Sequence, residues 1–412
     1  MALVIQKFGG TSVGTVEKIK NVAKRVVCEK EKGNHVVVVL SAMTGETNKL
    51  VSLANEVSET PNEREFDVLV STGEQVTIAL LSMALQEIGC AARSYTASQV
   101  KIITDSAHTK ARIKEIGSEN IKKDLEEGKV VVVAGFQGVD EHGNVTTLGR
   151  GGSDTSAVAI AAALKADVCE IFTDVEGVYT TDPNICEKAR KLKKISYDEM
   201  LEMASLGAKV LQTRSVEFAK KYHVPVHVRS TFSDNEGTLV TKEDREMERV
   251  AVSGIAYNKD EAKITIIQVP DKPGVAAKLF GLISESNINV DMIIQNISED
   301  GYTDMTFTVP KGDYKRALEL VEKTGVELAA KGVTGDPNIS KVSVIGVGMR
   351  SHAGIASTVF KTLSQEGINI MMISTSEIKV SCVIESKYTE LAVRTLHDAF
   401  NLGEGEITEE KS

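Results

Sequence analysis

Short apolar runs recur through the first half of the chain, at 3–6, 36–40, 130–134, 168–172 and 226–228, and between them the apolar positions open out to helical spacing. The runs are continuous rather than alternating, as expected of strands buried on both faces. Strands separated by helices predict an α/β domain built on a mostly parallel sheet sandwiched by helices. In such a sheet ligands bind beyond the C-terminal ends of the strands. The unusual residues stand there: KFGG follows the first run, SAMTGETN the second, GFQG the third and TDVEGVYTTDP the fourth.

The charged stretch DNEGTLVTKEDREMER at 234–249 breaks this pattern and reads as leading into a linker. Beyond it, DKPGVAAKLFGLISESNINVDMI from Asp271 matches SHAGIASTVFKTLSQEGINIMMI from Ser351 in one register, sharing Gly274/Gly354, Phe280/Phe360, Asn289/Asn369 and Met292/Met372. Each copy reads as a ferredoxin-like βαββαβ module. The second copy lacks a last strand, because only the polar NLGEGEITEEKS follows its final helix, whereas VAVSGIA at 250–256 is strand-like and has no evident partner. The expected organisation is a domain over 1–245, a first module over 263–340, and a second module made of 250–256 plus 341–403, with the first inserted in it.

A chain of 412 residues with 42% apolar content has material for two or three cores. The net charge of −10 argues against a nucleic-acid surface, so anionic ligands must be met by locally placed cations. The five cysteines show no C-x-x-C spacing, no secretory leader precedes the first strand, and the longest apolar runs are far short of a membrane span. The expected setting is the cytoplasm, with neither nucleic acid nor membrane as partner.

In KFGGTSV, Thr11 or Ser12 is positioned to cap a helix over 15–30, and Gly9 and Gly10 let backbone amides approach an anion beside Lys7. A glycine turn with a solvated lysine fits that stretch equally well. GRGGSDTSAVAIAAALKA is a second glycine loop feeding a helix, with Ser153 or Asp154 as cap and with Arg150, whose planar fork suits a carboxylate or a neighbouring acid. Two glycine loops, each with its own cation, favour ligand binding. Glu74, in the first turn of the helix of STGEQVTIALLSMAL, by itself only complements the helix dipole, and Lys209 in LGAKVLQTRSVEF by default is solvated. There is no P-loop and no H-E-x-x-H, and IGVGMRS lacks the third glycine of a dinucleotide fingerprint. The histidines form no metal-ligand cluster, and no metal-ligating residue is expected.

KFGGTSV, LSAMTGETN, STGE, TTLGRGGSD, FTDVEGVYTTDP and GAKVL together resemble the aspartate kinase family, and the duplicated region resembles its paired ACT domains. The resemblance spans essentially the whole chain. It implies an amino-acid-kinase fold and transfer of the γ-phosphoryl of MgATP to the β-carboxylate of L-aspartate. It assigns Lys7, Asp154 and Lys209 to catalysis. Ser41, Thr47, Glu74, Arg150, Gly151, Gly152 and Ser153 are assigned to aspartate, with Arg150 on its α-carboxylate and Glu74 on its α-ammonium. Lys7, Phe8, Gly9, Gly10, Thr173, Asp174, Tyr179, Asp182 and Lys209 are assigned to ATP, with Mg²⁺ held mainly by phosphates and water. Asn184 departs from the arginine that many members carry after TTDP. The ACT resemblance implies feedback inhibition by lysine, threonine or both, and a homo-oligomer, dimer or tetramer, formed through the modules. The effector residues it implies are Asp271, Lys272, Pro273, Gly274, Val275, Ala276, Asn289, Val290, Asp291 and Gln295 of the first copy. From the second copy come Ile355, Ala356, Asn369, Ile370, Thr375 and Ser376. Ser351 and Met371 replace Asp271 and Asp291 in the second copy, so a weaker equivalent site is expected there.

Two alternatives compete with this reading. A kinase of the same fold acting on glutamate, a carbamate or a nucleotide monophosphate leaves Glu74, Arg150 and the twin modules unexplained. A non-catalytic amino-acid-binding regulator gives no reason to keep Lys7, Glu74, Arg150 and Asp154 together.

Overall fold

The five apolar runs become five adjacent parallel strands: Val226–Ser230, Val168–Thr173, Leu3–Phe8, His35–Leu40 and Val130–Ala134. The computed structural model describes residues 1–207, 210–297 and 301–404. Three strands not foreseen from the pattern flank these five. Ala92–Tyr95 lies beyond Val130–Ala134, while Thr238–Thr241 and then Lys194–Ser196 lie beyond Val226–Ser230. The one antiparallel pairing in this sheet joins Val226–Ser230 to Thr238–Thr241. Val36, Val38 and Leu40 enter a core with Val22 and Val26 of the helix Val16–Glu31 and Ile78, Leu81 and Leu85 of the helix Thr72–Glu87. Val37 and Val39 are equally buried, so the sheet is covered on both faces. The run Glu63–Glu87 is long and apolar enough to cross a membrane, but half of its apolar window is buried in the protein. A further four-stranded sheet, from Ile102–Thr104, Ile113–Ile116, Gln137–Val139 and Val145–Thr147, was also not foreseen.

Both helix caps differ from expectation. Thr15 caps Val16–Glu31 by accepting the Lys18 amide at 3.2 Å, and Ser12 ends a short 3₁₀ turn with Thr11 inside it. Gly151 caps Gly152–Leu164, which puts Ser153 and Asp154 inside the first turn. A left-handed residue is needed at that cap, and glycine adopts it without a Cβ penalty.

These elements belong to one compact unit, made of Met1–Val178, Lys191–Ser205 and the stretch through Met247; the other is Tyr179–Arg190 with the stretch from Glu248 onward. The second unit holds two antiparallel four-stranded sheets. In one, the order is Ile293–Ile297, Tyr302–Pro310, Glu261–Pro270 and Gly332–Asp336. In the other, Gly254–Asn258 pairs with Ile339–Ile345, followed by Lys379–Glu385 and Met372–Ser376. Gly254–Asn258 therefore lies in the sheet of the second copy, with the first copy's sheet between them in sequence.

Residues 179–190, expected with the first domain, group with the second unit instead. Local hydrogen bonds explain this. Thr180 Oγ1 lies 2.9 Å from Nε2 of buried His397, the Tyr257 hydroxyl donates to Asp182 at 2.9 Å, and Ile185 packs on that unit's core.

Candidate active site

A cavity of about 380 Å³ opens in the first unit. Leu3–Phe8 delivers Lys7 to it, one residue before the strand's C-terminal end, paired with Val39 on one side and Ile171 on the other. Lys7 is buried, and its Nζ stands 2.6 Å from Asp154 Oδ1. This is a charge contact rather than an aligned hydrogen bond, so the ammonium keeps protons for another acceptor. The glycines beside it leave room: a Cβ on Gly9 would lie 3.4 Å from Lys7 Nζ, and one on Gly10 would lie 3.0 Å from the Ala42 carbonyl.

Across the cavity, the loop Gly149–Arg150–Gly151 runs into the helix Gly152–Leu164, whose N-terminus opens on the same space. Its dipole favours an anion, while the Gly152, Asp154 and Thr155 amides already donate to the Gly149 and Gly151 carbonyls. Arg150 is exposed, and among the described residues no acid pairs with it, so its fork is free for a ligand. Gly151 sits under Gln212, with a built Cβ landing 1.6 Å from Gln212 Cγ.

Glu74 closes the inner wall. It is 3% exposed; Oε1 accepts the Ala42 amide at 3.0 Å, and Oε2 is buried with no partner among the described residues. Burial pushes its pKa up to about 7, against the lowering effect of the backbone hydrogen bonds. A cation brought to Oε2 would hold the carboxylate ionised.

Lys7, Gly10, Ser41, Thr47, Glu74, Arg150, Gly151, Gly152, Ser153 and Asp154 all line this cavity. Other predicted residues lie elsewhere. Phe8 is fully buried and stacked on Phe172 with ring centroids 4.7 Å apart, which corrects its assignment: only its backbone can face a ligand. Thr173 and exposed Asp174 follow the Val168–Thr173 strand, with Thr173 Oγ1 donating to Asp174 Oδ1 at 3.1 Å. Tyr179 and Asp182 belong to the second unit, and the Asp182 carboxylate is already engaged by Tyr257 and by the amide and side chain of Asn184. Lys209 lies outside the described residues.

The sequence reading missed Phe136 and Gln212 among the lining residues. Phe136 holds a left-handed backbone, φ 68°, where a bulky residue is uncommon, and it abuts Gly152. Its place in GFQG after the third strand was the available signal. Gln212 gave none, because its neighbour Gly151 is distant in sequence.

In the second unit, Asp271, Lys272, Pro273 and Gly274 form an exposed turn before the helix Val275–Glu285, with Val275 half-buried and Ala276 exposed in its first turn. Asn289 and Gln295 are exposed, and Val290 is half-buried. Asp291 is not free: it pairs with buried Lys341, which also meets buried Glu261 at 2.7 Å. Ile355, Ala356 and Ile370 are half-buried, and Asn369, Thr375 and Ser376 exposed. Met292 and Met372 share one buried cluster, so the loops just before them, one from each copy, meet there.

Among the described residues no group of three His, Cys, Asp or Glu side chains is placed to hold a metal ion.

The amino acid kinase family pattern matches residues 2–230, and ACT domain patterns match 263–326 and 342–400. The chain is 63% identical to an aspartokinase of Pseudomonas aeruginosa over 404 residues, 98% of each chain. It superposes on Escherichia coli aspartokinase III in complex with aspartate and ADP, R-state, with TM-score 0.80 at 27% identity, covering 96% of this chain and 99% of that one. The T-state of the same enzyme, with lysine and aspartate, gives TM-score 0.77 at 27% identity, covering 98% and 100%.

Proposed function

The chain belongs to the aspartokinase family, and from that premise we propose how its own residues bind aspartate, ATP and an effector. As a member it is an aspartate kinase, a phosphotransferase with a carboxyl acceptor, regulated through ACT domains. The aspartate β-carboxylate attacks the γ-phosphorus of ATP, the bond to the ADP oxygen breaks, and 4-phospho-L-aspartate is released. A carboxylate nucleophile is already ionised, so no general base is required, and catalysis reduces to positioning and charge stabilisation.

In this reading Arg150 grips the α-carboxylate, Glu74 Oε2 receives the α-ammonium, and Ser41, Thr47 and Ser153 line the space between. Lys7, oriented by Asp154, neutralises charge on the transferred phosphoryl, with Gly9 and Gly10 giving the phosphates clearance. Thr173 and Asp174 are proposed for the nucleotide, with Tyr179 and Lys209, while Asp182 acts through its turn rather than its carboxylate. Bound Mg²⁺ screens phosphate charge; the cavity's paired lysine, glycines and helix N-terminus suit phosphates, and the metal is held chiefly by phosphate and water. The observation that carries the reading is the orphaned, buried Oε2 of Glu74 in one cavity with Arg150, which has no partner among the described residues: a counter-charge for each of the two groups on an amino acid's α-carbon.

The proposed domains are 1–245, 263–340 and 250–256 plus 341–403, residues 179–190 serving the second unit. The proposed effector is lysine, threonine or both, bound where the two modules meet, with Asp271 taking the ammonium. Assembly through the modules as a dimer or tetramer, and a cytoplasmic setting, complete the proposal. The test is acyl phosphate formation trapped with hydroxylamine, using L-aspartate or L-glutamate, with lysine, threonine or both added. Aspartate-specific product suppressed by one addition supports the reading. No product, with lysine or threonine still binding, turns it into a silent regulator.

A further inference from the structure

Among the described residues Arg150 has no side-chain partner to hold it, so the direction of its guanidinium depends on the backbone beneath. That backbone is pinned twice just upstream. Fully buried Asp67, on the helix Glu63–Val70, accepts the Thr147 amide at 3.1 Å and the Thr147 hydroxyl at 2.5 Å. The same carboxylate accepts the Thr109 amide at 3.0 Å and lies 2.8 Å from His108 Nδ1. Arg214 donates to the Leu148 carbonyl at 2.6 Å and to the Ala111 carbonyl at 2.9 Å. The Ala111 amide in turn donates to Thr147 at 2.9 Å, so the segment 108–111 and the Thr147–Leu148 strand end are stitched into one frame. A buried carboxylate collecting this many donors is costly to place and costly to disturb. Asp67 is not among the residues that line the cavity.

We infer that Asp67 and Arg214 are positioning residues for Arg150, and through it set the enzyme's selectivity for an acceptor carrying an α-carboxylate. The inference rests on the reading of Arg150 given above. The test compares kcat/KM for L-aspartate with that for its α-carboxamide analogue, which keeps the β-carboxylate and loses the α-charge. It uses Asp67→Asn, Arg214→Lys and Thr147→Val, each alone and combined with Arg150→Ala. Thr147→Val removes one donor to Asp67 at little risk to folding, and Arg214→Lys keeps the charge while losing the two-carbonyl fork.

Expected is a preference for aspartate that falls at least tenfold in Asp67→Asn and Arg214→Lys and a smaller amount in Thr147→Val. The KM for ATP should stay within twofold, and in an Arg150→Ala background each of the three substitutions should cost less than a further twofold of that preference. Equal losses on both acceptors, a matching rise in the KM for ATP, or additivity with Arg150→Ala would overturn the inference and leave the Arg150 reading standing. An Arg150→Ala enzyme that keeps its preference would remove the Arg150 reading itself, and the inference with it.

Discussion

Glu74 and Ala42 share one hydrogen bond, the Ala42 amide to Oε1 at 3.0 Å, which spends one carboxylate oxygen on the loop after the second strand and leaves the other buried and unpaired. The raised pKa, about 7, follows from that burial, which disfavours the charged form.

Because the proton is held more tightly folded than unfolded, the ligand-free enzyme loses stability as pH rises from about 4.5 to about 7, then levels off. At about 1.4 kcal/mol per pKa unit the loss is on the order of 3 kcal/mol. Denaturant titrations of wild type and Glu74→Gln across pH 5 to 8 check this: the difference between them should shrink toward acid pH.

An ammonium binds the ionised carboxylate, so the KM for aspartate should fall as pH rises through 7. In Glu74→Gln the dependence should vanish and KM should rise roughly 10- to 100-fold, the worth of a charge-assisted hydrogen bond. Steady-state kinetics with saturating ATP read both effects.

Lys7→Ala removes the cation proposed for the phosphoryl group and leaves Asp154 buried without its partner. A loss of roughly 10²- to 10³-fold in kcat is expected, comparable with deleting one oxyanion donor elsewhere, together with a lower Tm. Single-turnover rates alongside thermal denaturation separate the two.

Gly151→Ala brings a Cβ onto Gln212 at φ 70°. Strain of about 1–2 kcal/mol from the left-handed backbone adds to the clash. Gln212→Ala should relieve only part of the clash, because the Cβ it keeps would still lie 2.7 Å from the new one, so the double variant should recover a fraction of the lost Tm and of the aspartate affinity.

Lys341→Ala would strand Glu261 and Asp291 as buried or half-paired acids at the junction of the two modules. A loss of about 3–5 kcal/mol is expected. Lys341→Met paired with Glu261→Gln should restore part of it, as denaturant melts would read.

The central strands were legible because Val36–Leu40 and Val130–Ala134 are apolar on both faces, and no other element tolerates that over so short a run. The need for one more strand was legible by subtraction, since the second copy lacked one, but it was expected over 250–256 and the strand found is Gly254–Asn258. The flanking strands were not, because Lys194–Ser196 and Thr238–Thr241 have only three or four residues, and Lys194–Ser196 finds its partner more than forty positions along the chain. Within the site, Lys7, Glu74 and Arg150 stood in motifs, whereas Gln212 and Asp67 did not. Asp67 did leave one trace: in EREFDVLV it lies three residues before buried Val70, an acid on the inward face of a helix.

Tyr179–Arg190 belongs to the second unit, although the chain on either side of it, up to Val178 and from Lys191, belongs to the first. A gene split near Met247 would deprive the C-terminal piece of Ile185 from its own core and of the threonine against His397.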